Sequence, residues 1–378
     1  MRLVALMLIL AMLTGCSLVP DTYLSVEDHI VPEAQKSQSD AITVRNYSDL
    51  KRAILSFVEA GQSEGTIWTS NYDGPLEDDL IQAAYEVSKL NPLGAYAVDY
   101  MTHDCTFIVN YYEINIRTTF RRTLQEMEAI EPIATQSLLQ SRIEKALEQH
   151  ETRLALRLAS YRDWDVAAMV AEYCAAHPDT IMEQPAVTLS VYPDSGTIRI
   201  LEIDLQYTHT AQELERMKEA VQESVDAAAE YIRYRQSDRE KTDLLFTYLM
   251  ERFTYIEGST ATPLYDALCA GIADPAGLAH AWQLICDTAG VPCHTVTGLR
   301  NGQPHTWNIV GNDGYFRHVD LARCMLERGA LVLQDDLSMG EYYWSTEQLP
   351  ACVPYPEDAI PSAEETPAQP QEHPSAQP

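Results

Sequence analysis

A histidine and an aspartate fifteen positions apart, His305 and Asp320, are the residues of this chain best placed to do chemistry. The turn dipeptides Asn301-Gly302 and Asp313-Gly314 punctuate the apolar run Pro292 to Gly298, then His305-Thr306-Trp307-Asn308-Ile309-Val310, then Tyr315-Phe316-Arg317-His318-Val319-Asp320. This pattern predicts three antiparallel strands joined by tight hairpins. Neighbouring antiparallel strands can set a histidine on one beside an aspartate on the next. A carboxylate there fixes the imidazole tautomer and supports its cationic form, as a general base beside a nucleophile requires.

The nucleophile is harder to find. A thiol at a helix N-terminus has its pKa lowered by the dipole and by a nearby imidazolium, and backbone N–H groups at that end can hold an oxyanion. The helix expected over Ala276 to Ala289, closed by Gly290, starts instead at Asp274-Pro275. That pair reads as an N-cap followed by proline at the first helical position. Proline has no nucleophile and removes an N–H donor. A carboxylate at Asp274 would oppose an oxyanion nearby.

Eight cysteines are present, and with Cys16 set aside seven remain: Cys105, Cys174, Cys269, Cys286, Cys293, Cys324 and Cys352. Their spacing includes no C-x-x-C, which argues against a zinc ribbon or a thioredoxin motif, and it does not reveal their pairing. Cys269, six residues before Pro275, is the candidate substitute nucleophile. Cys286 falls about three turns into the helix, and Cys293 precedes a strand. All three also fit the role of a small buried hydrophobe. His280, His294, His305 and His318 fall close together but share no metal-motif spacing, so no metal is expected. Trp282 and Trp307 are expected in the core. No phosphate-cradling or dinucleotide-binding glycine loop and no G-x-S-x-G occurs, so no cofactor is expected.

Taken together, the stretch from Ser237 to Met325 resembles the transglutaminase-like superfamily. The resemblance is carried by the helix before the core, Tyr265-Asp266-Ala267-Leu268, the small-residue helix start at Gly277, the His305-x-Trp307-Asn308 strand and the His318-Val319-Asp320 strand. It implies an α+β fold in which helices pack on an antiparallel sheet. It also implies that His305 and Asp320 match the catalytic histidine and aspartate. The family's cysteine sits two residues before this glycine, where the chain has Pro275. The implied reading is a relic dyad in a transglutaminase-like pseudoenzyme, with Trp307, Asn308 and Asp274 at the cleft. Such a module would bind or scaffold a peptide, peptidoglycan or polysaccharide. The alternative is an active cysteine peptidase or amidotransferase using Cys269 with His305 and Asp320.

The elements that must position these residues fall in the C-terminal half. Thr210-Ala211-Gln212-Glu213 and Ser237-Asp238-Arg239-Glu240 read as capping boxes opening two helices. The apolar stripe of the first is Leu214, Met217, Val221, Val225 and Ile232. The domain is expected over 210–353, and the tail over 354–378, rich in Pro, Glu, Gln and Ala, is expected to be disordered. Before it, 41–209 reads as an α/β region of unknown function. Helices are expected over Ser48 to Val58, Glu77 to Leu90, Thr135 to Leu156 and Trp164 to Ala176. Strands are expected over Ala95 to Tyr100 and Phe107 to Arg117, and over Val187 to Tyr192 and Thr197 to Tyr207.

Arg2, the apolar run Leu3 to Leu13 and Leu13-Thr14-Gly15-Cys16 look like a bacterial lipoprotein signal, with cleavage before Cys16 and acyl chains upon it. Residues 16–40 are then a tether. This predicts an extracytoplasmic protein held to the membrane through Cys16. The net charge of −30 excludes nucleic acid and an anionic membrane surface as main partners. Composition does not set the oligomeric state.

Overall fold

The computed structural model describes residues 41–256, 264–327 and 329–354. The expected signal, Cys16, the tether and nearly all of the C-terminal tail lie outside the described residues. The chain is α+β, and its described residues divide into two compact units, one of 41–86 together with 99–119, the other of 87–98 together with those from 120 to 354.

The first unit contains β1 (Ile42–Thr43), α1 (Tyr47–Glu59), β2 (Glu64–Thr69) and α2 (Leu76–Tyr85). Asn46 caps α1, its side chain accepting from the Asp49 N–H. Leu50, Ile54 and Val58 are fully buried, as their helical spacing predicts. α2 runs on into a π-helical turn, Glu86–Leu90. There the chain departs from expectation. Ala95 to Ala97 are not strand but the end of α3 (Pro92–Ala97), because the Asn91 side chain accepts from the N–H groups of Leu93 and Gly94. Asn91-Pro92 thus stops one helix and starts another. Gly94 is needed here, since a Cβ would lie 1.8 Å from the Val87 carbonyl oxygen. The strands that follow are β3 (Val98–Ile108) and β4 (Tyr111–Phe120), and the sheet order is β1-β2-β4-β3.

Among the described residues the second unit holds three sheets, one of them only two-stranded. The short α4 (Leu124–Glu128) leads to β5 (Glu131–Ile133), α5 (Gln136–Glu148), β6 (Arg153–Leu158), α6 (Val166–Ala176), β7 (Ala186–Tyr192) and β8 (Arg199–Gln206), in sheet order β5-β6-β8-β7. The helix expected to reach Leu156 stops at Glu148. Leu154, Leu156 and Leu158 alternate into the core at a period of two, so 153–158 is a strand.

α7 (Ala211–Ile232) opens the remainder, and α8 (Asp238–Met250) follows. The Thr210–Glu213 capping box forms in both directions. At α8 only half forms: Ser237 accepts from the Glu240 N–H, while the Glu240 carboxylate takes the Gln236 N–H. β9 (Thr254–Tyr255) pairs with β10 (Ile272–Ala273), and α9 (Pro275–Ala289) ends at Gly290 in the left-handed conformation. Then come β11 (Cys293–Arg300), β12 (Gln303–Asn312), β13 (Tyr315–Val319), α10 (Leu321–Leu326), β14 (Leu333–Gln334) and β15 (Tyr342–Trp344). The sheet order is β14-β13-β12-β11-β15, antiparallel throughout. The three expected strands are its centre. The two edge strands are too short to show a period-two pattern. Val221 and Val225 of α7, Leu245 of α8, Trp282 and Ile285 of α9, and Val310 and Val319 of the sheet share one core. Burying each such side chain contributes roughly 1.5–3 kcal/mol. The division expected near His209 falls inside this unit, at the start of α7.

Candidate functional site

Two hairpin turns build the site. Asn301 and Gly302, then Asp313 and Gly314, all have positive φ, the geometry that asparagine, aspartate and glycine tolerate best. The resulting register pairs Gly298 with His305, Val296 with Trp307, and Asn308 with Val319. Side chains alternate across β12, so His305, Trp307 and Ile309 share one face while Thr306, Asn308 and Val310 share the other. α9 packs on the second face: Asn308 Nδ2 donates to the Ala279 carbonyl at 3.0 Å, and the Thr295 N–H donates to Gln283 at 2.7 Å. The segment after β14 covers the first face, where Met339, Tyr342 and Cys352 pack on Trp307 and Ile309.

On that covered face His305 and Asp320 meet. The imidazole Nε2 lies 2.8 Å from Asp320 Oδ2. The same oxygen accepts from the Tyr342 hydroxyl at 2.7 Å, and Arg300 Nη1 lies 3.7 Å away. The other carboxylate oxygen caps α10 by accepting the Arg323 N–H at 3.0 Å. Burial pushes the Asp320 carboxyl up, but the bonds from His305, Arg323 and Tyr342 outweigh it and hold the group below its usual range. Burial and the Asp320 charge push the Tyr342 phenol up, so it stays a donor. Among the described residues no hydrogen bond engages Nδ1 of His305, and with Nε2–H bound to the carboxylate that nitrogen can accept a hydrogen bond.

The start of α9 is as expected. Asp274 is the N-cap, accepting from the Gly277 N–H at 2.8 Å, and Pro275 is the first helical residue. Asp274 is buried, as are Trp307 and Asn308, both 1% exposed. Cys269 is exposed, and its sulfur lies 3.7 Å from Ser224 Oγ on α7. Among the described residues no hydrogen bond joins His305 to a cysteine. All seven described cysteines are free thiols, and Cys286 and Cys293 are buried. A cavity of about 740 Å³ beside α9 is lined by His280, Tyr265, Asp266, His209 and Arg216, but not by His305 or Asp320.

A second histidine–aspartate pair shares the covered face. The Trp307 indole can only donate, and it does so to His318 Nδ1 at 3.0 Å. Nε2 therefore carries the ring proton and donates to Asp336 Oδ1 at 2.8 Å. Asp336 Oδ2 accepts the Cys352 N–H at 3.1 Å. Burial lowers the His318 pKa against the pull of Asp336, and burial pushes the Cys352 thiol up to about 12. Donor atoms of His318, Asp336 and Cys352 lie within 4.8 Å of one another, the spacing of a metal ligand set. Yet a metal on Nε2 needs the proton on Nδ1, where the indole N–H already points. The trio is built as a hydrogen-bonded clasp.

Sequence reasoning overlooked Arg300, Tyr342 and Asp336. Arg300 had a signal: it precedes the Asn301-Gly302 turn, and hairpin register puts it on the face of His305. Tyr342 and Asp336 lie where no periodicity marks an element.

Residues 212–321 match the Transglutaminase-like superfamily. They are a transglutaminase-like domain. Comparison with curated proteins gives no match. Among solved structures the chain is similar to a transglutaminase ("TGase"), at 12% identity and TM-score 0.26, covering 50% of this chain and 58% of that one. It is also similar to a candidate cysteine protease from Cytophaga hutchinsonii, at 13% identity and TM-score 0.25, covering 42% and 70%. A third is the periplasmic domain of TgpA from Pseudomonas aeruginosa, at 15% identity and TM-score 0.23, covering 36% and 57%. Residues 212–321 contain both members of the dyad, while Tyr342, which donates to Asp320, comes from the segment that follows them.

Proposed function

We propose that this chain is an extracytoplasmic lipoprotein, anchored through Cys16, whose transglutaminase-like domain binds peptide or cell-wall material without thiol chemistry. One observation carries the reading. The helix start that would carry a nucleophile has Pro275, with Asp274 buried beside it and capping Gly277. The position serves helix initiation and offers neither a nucleophile nor that N–H donor. The dyad is kept in good hydrogen-bonding order, with Nδ1 of His305 open to a ligand donor. The Cys269 thiol, the alternative nucleophile, is held near Ser224 instead.

The test is sedimentation of the purified chain with isolated peptidoglycan, and with soluble cell-wall peptides as competitors. Binding is expected, with a loss of at least tenfold in His305→Ala. Binding unchanged in that variant would remove the dyad face from the account. Release of ammonia from glutamine peptides, or cleavage of cell-wall peptides, would overturn the non-catalytic reading.

A further inference from the structure

Among the described residues four hairpin turns carry positive-φ residues at their tips, and one breaks the rule the others keep; the β7–β8 turn uses Gly196. Asn301-Gly302 and Asp313-Gly314 use the residues that tolerate this geometry. The turn between β3 and β4 instead places Val109 at φ 53. A β-branched residue is strained there, where asparagine or glycine would not be. The strain supports no packing, because Val109 is 91% exposed. A local rule broken without gain to the fold marks a place kept for something else.

The surroundings indicate what that is. Between Asp104 and Glu113 no residue is charged, in a chain of net charge −30. Phe107 is 59% exposed and Tyr112 40% exposed, and their rings lie 4.9 Å apart. Tyr111 adds a third ring near the tip, packed 5.3 Å from Trp68. Apart from the neutral amide of Asn110, the tip is therefore an apolar, aromatic, uncharged wedge at the end of two long strands. Phenyl and phenol rings beside an aliphatic side chain suit the headgroup boundary of a bilayer. β1, the first described strand, lies in the same sheet as this hairpin. An anchor at Cys16 would thus be tied to this unit through at most 25 residues, the span from Cys16 to Asp40.

We propose that the β3–β4 hairpin tip, through Phe107, Val109 and Tyr112, inserts into the interface of the bilayer to which the chain is anchored. The contact is apolar, so it favours zwitterionic over anionic lipid, against which the acidic body is repelled. This inference rests on the anchored reading above, and the experiment separates the two.

Phe107→Trp is made in the full lipidated chain, alone and with Val109→Gly, and reconstituted into phosphatidylcholine vesicles with and without brominated acyl chains. Flotation with the vesicles and the intact mass of modified Cys16 report the anchor. The hairpin is reported by the emission added by the new tryptophan over the parent. Expected is a blue-shifted added emission, quenched at least twofold by brominated lipid, with quenching reduced by Val109→Gly. A chain that floats while its added emission is unquenched overturns the hairpin proposal and leaves the anchor standing. A chain without lipid on Cys16 that does not float overturns the anchor, and the hairpin proposal with it. Emission that shifts only on adding envelope proteins assigns the tip to a protein partner and also overturns the proposal.

Discussion

The two histidine–aspartate pairs of the five-stranded sheet differ in one nitrogen. His318 has both ring nitrogens engaged, one by an indole N–H and one by Asp336, and is 1% exposed. His305 uses Nε2 on Asp320, keeps Nδ1 without a hydrogen bond among the described residues, and its side chain retains 10% exposure. The same two residue types thus make a clasp in one place and a candidate site in the other. Capacity for chemistry lies in the unspent acceptor, and the surrounding donors decide whether one is left.

The comparison can be broken most forcefully at the clasp. His318→Ala should lower stability by roughly 2–4 kcal/mol, through lost packing and a buried indole N–H left without an acceptor; chemical denaturation of the full chain measures it. His305→Ala should cost less in stability yet abolish ligand binding. A larger loss for His305 would reverse the assignment of roles.

Acid should separate the pairs next. The His318 pKa is held below its ordinary 6.5. A base whose folded pKa is depressed contributes stability that is complete above the unfolded pKa and lost as pH falls toward the folded value. Melting temperature should therefore begin to fall below about pH 6.5, with His280, also lowered by burial, contributing in the same window. The Asp320 carboxyl lies below its ordinary 3.8, so its contribution persists to lower pH and is lost only as pH falls through that depressed value. Melting curves of wild type and His318→Gln between pH 7 and 3 should differ in slope mainly in the upper part of this range.

Finer adjustments act on Asp320. Tyr342→Phe removes a hydrogen bond to a buried carboxylate and should cost roughly 1–2 kcal/mol while raising the Asp320 pKa; denaturation and a carboxyl titration followed by NMR would read both. Arg300→Gln, at 3.7 Å and part-exposed, should change stability by less than about 1 kcal/mol. A larger effect would make Arg300 part of the site's support rather than its border.

Much of this arrangement is legible in the sequence. The asparagine–glycine and aspartate–glycine turns fixed strand register, and register alone brought His305 toward Asp320. The Asp274-Pro275 helix start was equally plain, because capping chemistry is local. What stayed hidden depends on tertiary contacts. Tyr342 and Asp336 lie on short edge elements with no periodicity of their own. Ala95 to Ala97 looked strand-like because the Asn91 cap has two readings, and packing beneath β7 and β8 decided between them. The run to Leu156 reads as helical because Leu147 and Leu154, seven residues apart, continue the helical stripe of α5.

The most direct measurement is the alkylation rate of every cysteine at about pH 6, well below the pKa near 8.5 of a free thiol, read by mass spectrometry in wild type and His305→Ala. With no thiol partnered to the dyad, all rates should be slow and the same in both proteins. A single cysteine, Cys269 foremost, that reacts many-fold faster and slows when His305 is removed would restore the nucleophile and contradict the account.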